Sequence, residues 1–309
     1  MQMRIFQATT VVTVLLISIM VVTMGFVRHT RRKASSAKVG SISVSLKDLP
    51  DIGIRLIGSN DNSFEGLLST KLQGETRAAA ETLSPFTFFI KNEADRAIIG
   101  YSIKWEMMGP DGVPHSHVKN YLASDVLVGR PLDGLQGVIQ PGSIRLISLA
   151  PIEEINGARQ GGGLRAERAN AFPLTEQVEQ LSARTAAFNV ITISIDSVLL
   201  DDGTFAGPDT CEEFEKINAR LNARRDLLRQ LENDSRGNSP SRAFDRLREI
   251  ANGPKLDRHS QTTPTTVFNA QQQTAAAELL GMREKLGDAE TVQRALRLLN
   301  HQWLTLKRK

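Results

Sequence analysis

Between Ser41 and Leu200 apolar and polar residues alternate in short runs, the period-two pattern of strands with one buried face. Ile42, Val44 and Leu46 alternate with Ser43, Ser45 and Lys47, and Ile52, Ile54 and Leu56 resume the pattern after Pro50. Residues 59–84 lose it. There Gly58, Ser59, Asn60, Asp61 and Asn62 predict a turn, and the Ala-, Glu- and Thr-rich stretch behind them carries no strand signal. Phe86, Phe88 and Ile90, a polar turn from Asn92 to Arg96, and then Ile99, Tyr101, Ile103, Trp105 and Met107 predict a hairpin of two adjacent antiparallel strands. Pro110, Asp111 and Gly112 supply turn chemistry at its end. Further strands are expected near Tyr121 to Val128, at Ile144, Leu146 and Leu149 behind Pro141 and Gly142, and over Val190 to Leu200. Residues 153–187 interrupt the series with the run Gly161, Gly162, Gly163 and a weakly helical Leu174 to Ala187, predicting a loop plus a short helix.

From Pro208 the period becomes helical. Asp209 or Thr210 is placed to cap a helix, with Glu212 or Glu213 three residues on. Phe214, Ile217, Leu221, Leu228 and Leu231 form its stripe, which Arg224 interrupts, so burial within the same chain is preferred to a coiled coil. A second helix carries Phe244, Leu247 and Ile250, and after a linker from Leu256 to Thr266 an Ala- and Gln-rich helix reaches Gly281. A last helix is expected from about Asp288, with Val292, Leu296, Leu299, Trp303 and Leu306 at 3,4 spacing.

At the other end, Ala8 to Val27 is a run of twenty uncharged, mostly apolar residues, the length of a helix that crosses a bilayer core. An uncleaved anchor is favoured over a signal peptide, because the small-residue patch Ala34 to Ala37 lies beyond Arg31, Arg32 and Lys33 rather than directly behind the apolar run. Membrane lipid is then the first partner, with Arg28, Arg31, Arg32 and Lys33 as a basic flank at anionic headgroups. By the positive-inside rule the body behind that flank lies in the cytoplasm, whereas β-rich bodies behind an N-terminal anchor are commonly exported; the side stays open.

The charge balance supports the flank rather than a nucleic-acid surface. The chain has 38 Lys plus Arg against 34 Asp plus Glu over 309 residues. Residues 1–38 hold six basic side chains and no acidic one, residues 39–207 hold 14 basic and 20 acidic, and residues 208–309 hold 18 and 14. No basic stripe belongs to the middle of the chain, and no nucleic-acid partner is predicted. A single cysteine, Cys211, excludes an intrachain disulfide and cysteine-rich zinc sites.

Candidate chemistry is sparse. His115 and His117 form a His-x-His pair that would hold a transition metal if a third ligand arrived from elsewhere, and a metal-dependent protein or enzyme built there is the alternative function; the plainer reading is two exposed loop histidines after Pro114. Asp196, Asp201, Asp202 and Asp209 depart from the EF-hand spacing and fit a strand end and turn. The triglycine run has no following Lys and is no phosphate loop. Cys211 near a helix start would have its thiol pKa lowered by the dipole, but Glu212, Glu213 and Glu215 oppose this. No catalytic residue and no cofactor are assigned.

Phe88-Phe89-Ile90-Lys91-Asn92, Tyr101 to Trp105, Pro141-Gly142 before a strand, and the run from Asp196 to Asp209 resemble immunoglobulin-like β-sandwich domains of uncharacterised bacterial membrane-anchored or exported proteins. The resemblance covers about half the chain. It implies that Trp105 packs between two sheets, without the cysteine pair that flanks such a residue in antibody domains. The expected fold is therefore mainly a β sandwich with an N-terminal transmembrane helix and a C-terminal α-helical region, divided as 1–38, 39–207 and 208–309. The expected function is that of a non-enzymatic, single-pass membrane protein, a binding or assembly module of the cell envelope with a protein partner; such a fold carries no function by itself, and the oligomeric state stays open.

Overall fold

A computed structural model describes residues 42–123, 126, 138–152, 173–237, 240–254, 263–300 and 303–309. The Ala8 to Val27 run, its flank at Arg28, Arg31, Arg32 and Lys33, and the triglycine segment lie outside the described residues. Among the described residues no helix is long and apolar enough to cross a membrane.

The alternating segments form two sheets. The larger contains β1 (Ser43–Lys47), β4 (Ile98–Met108), β5 (Pro114–Leu122), β7 (Val190–Leu200), β8 (Thr204–Ala206) and β9 (Lys307–Arg308). Its order is β5-β4-β7-β8-β9. The eleven-residue β7 takes β1 beside its first half and β8 beside its second. The β1–β7 and β8–β9 pairs are parallel and the remainder antiparallel. The smaller sheet is antiparallel, β2 (Ile54–Gly58), β3 (Phe88–Asn92) and β6 (Ile144–Ile147), in the order β2-β3-β6.

A core built from Leu56, Phe88 and Ile90 on one side and Ile103, Trp105, Ile193 and Ile195 on the other joins the sheets. Trp105 is fully buried there, its ring 5.7 Å from that of Phe88 and its Nε1 donating to the Phe86 carbonyl at 3.2 Å. The hydrogen bond satisfies the one polar atom of a side chain whose burial removes a large apolar area from water.

Three features correct the expectation of a mainly β sandwich. The described residues form a mixed α/β fold, 48% of them in helices. Residues 64–82 fold as α1 (Phe64–Lys71) and α2 (Gly74–Thr82), which with α3 (Leu174–Thr185) cover the outer face of the small sheet. The cause is visible in β3, where Phe88 and Ile90 face the large sheet while Phe89 points the other way and is equally buried, against Phe64. A strand apolar on both faces needs a third layer. The large sheet also contains parallel pairs, unlike the all-antiparallel immunoglobulin sandwich.

The predicted hairpin also fails, because β3 and β4 belong to different sheets. Buried Asn92 fixes the crossover: its Nδ2 donates to the carbonyls of Arg96 and Ile139 at 2.8 Å each, and its Oδ1 accepts from the Ala94 amide at 3.1 Å. Alternation identifies the buried face of a strand but not its neighbour.

The C-terminal helices are α4 (Glu213–Gly237), α5 (Pro240–Ala251), α6 (Pro264–Leu286) and α7 (Asp288–Leu299). The first half of α4 lays Ile217 and Leu221 on the outer face of the large sheet, against Leu199 and Phe205. Its second half packs Leu227, Leu228 and Leu231 with Phe244, Leu279 and Ala295 of the other helices. Arg224, which breaks the stripe, is buried and pairs with Glu278 of α6 at 2.8 Å. The last helix is shorter than predicted: Trp303 to Leu306 leave the helical path, and Lys307–Arg308 returns as β9.

Candidate functional site

Where α4 crosses the large sheet it roofs a cleft of about 250 Å³. The floor is made by small and polar residues in otherwise apolar strands. Asn120, Ser102 and Ser197 are register partners across β5, β4 and β7, and the next row places Gly100 between Leu122 and Leu199. Register shifts leave Ile99 of β4 and Asp196 of β7 as extra residues without a partner across the β4–β7 pair, and such bulges re-aim side chains; Ser102 then lines the cleft while its neighbour Ile103 faces the intersheet core. On the roof, Glu213, Ile217 and Arg220 recur at helical spacing on one stripe of α4.

The segment leading into α4 is held by carboxylates. Asp196, at the centre of β7, accepts from the Thr210 amide at 2.9 Å, the Thr210 hydroxyl at 2.6 Å and the Cys211 amide at 3.1 Å. Asp209 accepts from the Glu213 amide at 2.6 Å and the Phe214 amide at 3.3 Å, satisfying donors that a helix start leaves unpaired. Its other oxygen receives Arg308 of β9 at 3.0 Å. Gly207, at φ 122°, lies so close to β7 that a Cβ would meet the Asp196 carbonyl oxygen at 2.5 Å.

In the cleft, the buried Glu213 carboxylate receives Asn120 Nδ2 at 3.0 Å and Lys216 Nζ at 3.3 Å. Lys216 also donates to the Cys211 carbonyl. The acidic charge is thus neutralised from within. Among the cleft groups without a partner in the described residues are Arg220, which makes no ion pair or hydrogen bond there, and the Ser102 hydroxyl, which is fully buried.

The residues singled out by spacing lie elsewhere or are already engaged. His115 and His117 share one face of the edge strand β5, opposite Met107 and Trp105. Their rings rest on Phe188 and Trp105 at 5.2 and 5.7 Å. Burial, aided by the Lys119 cation, holds the His117 imidazole below its usual pKa. Among the described residues no third His, Cys, Asp or Glu completes a metal site with them.

Asp202 closes the β7–β8 turn by accepting from the Thr204 amide and hydroxyl at 2.9 and 2.8 Å, so Asp196, Asp202 and Asp209 are each spent on turn or helix-start geometry. Burial and the neighbouring Asp196 carboxylate push the Cys211 thiol pKa up, overriding any helix dipole.

Sequence reasoning missed the cleft. Its signal was Gly100 and Ser102 within an apolar strand, together with Arg220 two turns after Glu213. No protein-family model, curated protein or solved structure matches the chain.

Proposed function

We propose that this chain is a non-enzymatic, single-pass membrane protein whose folded body is a binding module, with the cleft under α4 as the seat of its ligand. The observation that carries the reading is the distribution of polar groups there. Glu213 and Asp196 are each tied up by internal donors and the Cys211 thiol is held neutral, whereas Arg220 and Ser102 are left open. Groups already satisfied have little capacity to move protons; open, preorganised ones serve recognition. Membrane attachment rests on the apolar Ala8 to Val27 and the flank behind it.

A fragment screen followed by methyl NMR tests the binding role. Ligands that shift the Leu122, Leu199 and Ile217 methyls saturably, and leave Leu228 and Leu279 of the helical core unmoved, support it. A screen that yields none at the cleft overturns it. Retention of the full chain in carbonate-washed membranes, lost on deleting residues 8–27, is the expected result for the anchor.

A further inference from the structure

From the two open groups we infer that the cleft binds a small aliphatic carboxylic acid carrying a second polar group at its far end. The inference rests on the cleft being a binding site and adds the chemistry of its occupant.

Arg220 and Glu213 stand seven residues apart on α4, hence about 10 Å along the helix axis. The cleft therefore has a cationic end and an end where Glu213, held by Asn120 and Lys216, borders the Ser102 row. Between them the walls are apolar: Leu122, Leu199, Phe205 and Ile217. The volume equals about eight waters at roughly 30 Å³ each, enough for a short chain.

Two buried side-chain atoms lack hydrogen-bond partners among the described residues, Ser102 Oγ and Arg224 Nε. Arg224 still has Glu278 on another nitrogen; Ser102 has a single oxygen, and it is unmatched. A buried hydroxyl without a partner is costly, and a ligand oxygen ending at Ser102 would remove that cost. At the opposite end a guanidinium fork suits a carboxylate in a bidentate arrangement. With Glu213 paired to Lys216, Arg220 is the one unpaired charge among the residues that line the cleft, so the charge pattern also sets the ligand's direction.

The test is calorimetric titration of the full-length chain with 6-hydroxyhexanoate, alongside hexanoate and hexane-1,6-diol. The expected result is saturable binding of the hydroxy acid, weakened tenfold or more by Arg220→Met and several-fold by Ser102→Ala. Hexanoate should bind several-fold more weakly than the hydroxy acid and be indifferent to Ser102→Ala. Both variants should keep the wild-type unfolding midpoint to within a few degrees, Arg220 because none of the described residues is paired with it. Diol binding equal to that of the acid, or an Arg220→Met variant with unchanged affinity, overturns the acid assignment and leaves the cleft a binding site. Absence of binding by acid and diol alike, at tens of millimolar, overturns both.

Discussion

Replacing Asp209 with alanine removes three interactions and one conformational allowance at the base of α4. Loss of the two amide contacts, to Glu213 and Phe214, removes an N-terminal cap worth about 1–2 kcal/mol. The backbone at Asp209 has φ 54°, where alanine costs about 1–2 kcal/mol and aspartate less, because its side chain can bond locally. The Arg308 pair adds only about 0.2–1 kcal/mol, since that guanidinium is 54% exposed. The sum is a loss of about 2–4 kcal/mol. For a body of this size, that lowers the unfolding midpoint by roughly 5–10 °C. Asp209→Asn keeps an oxygen acceptor and tolerates the left-handed backbone, so it should cost about 1 kcal/mol and roughly 2–3 °C. The assay is thermal unfolding followed by circular dichroism at the helical minimum. An Asn variant as damaged as the Ala variant would refute the capping argument and move the weight to the charge pair. An Ala variant within about 1 kcal/mol of wild type would refute the whole account.

Three further outcomes are expected. His117 has a folded-state pKa below its unfolded value, so the unfolded chain binds more protons in the window just below about pH 6.5; stability is fully present above that pH and is lost as pH falls toward the folded value. Urea midpoints from pH 8 to 5.5 should therefore fall less steeply for His117→Gln, and equal slopes would contradict the assignment. Cys211 should react with iodoacetamide at pH 8 more slowly than a peptide thiol, and Asp196→Asn should accelerate it; a wild-type rate equal to the peptide's would show that neither burial nor Asp196 restrains the thiol. Gly203→Ala introduces a Cβ onto the Thr305 carbonyl oxygen at φ 86°, and should cost more than about 1 kcal/mol and speed tryptic cleavage at Lys307 and Arg308. Unchanged cleavage would mean that the returning segment is not seated at Gly203.

What the sequence disclosed follows from what periodicity encodes. The alternation of Ile191, Ile193 and Ile195 identifies β7 and its buried side, and Asp209, one of two N-cap candidates, accepts the first amides of α4, although from four residues upstream of the helix rather than from the cap position of a capping box. Partner choice was not encoded locally. Phe86 to Ile90 and Ile99 to Met107 look like a hairpin in any reading that ignores Phe89, whose burial on the opposite face requires helices that a thin stripe at Phe64, Leu68 and Leu72 announces only faintly. Trp303 and Leu306 continue a helical spacing by coincidence, since their apolar character is used against the cluster around Phe205 and Ile217. The cleft needs α4 laid over β4, a juxtaposition of residues more than a hundred apart that no window of sequence contains.

The parallel pairing of β8 with β9 has a consequence in time. About a hundred residues separate the two partners, so at roughly 5–20 residues per second a ribosome takes some 5–20 s between releasing one and the other. During that interval the β8 edge is an open template on a nascent chain, the kind of edge that recruits foreign strands. Helices α4 to α7 are made in the same interval and draw most of their contacts from one another, so the bundle can form before the sheet is closed. Closure waits for Arg308, which reaches Asp209 at the foot of α4. Residues made about a hundred positions after β8 thus fasten the helix that roofs the cleft, and a chain released before them would have an open sheet edge and a loosely held roof.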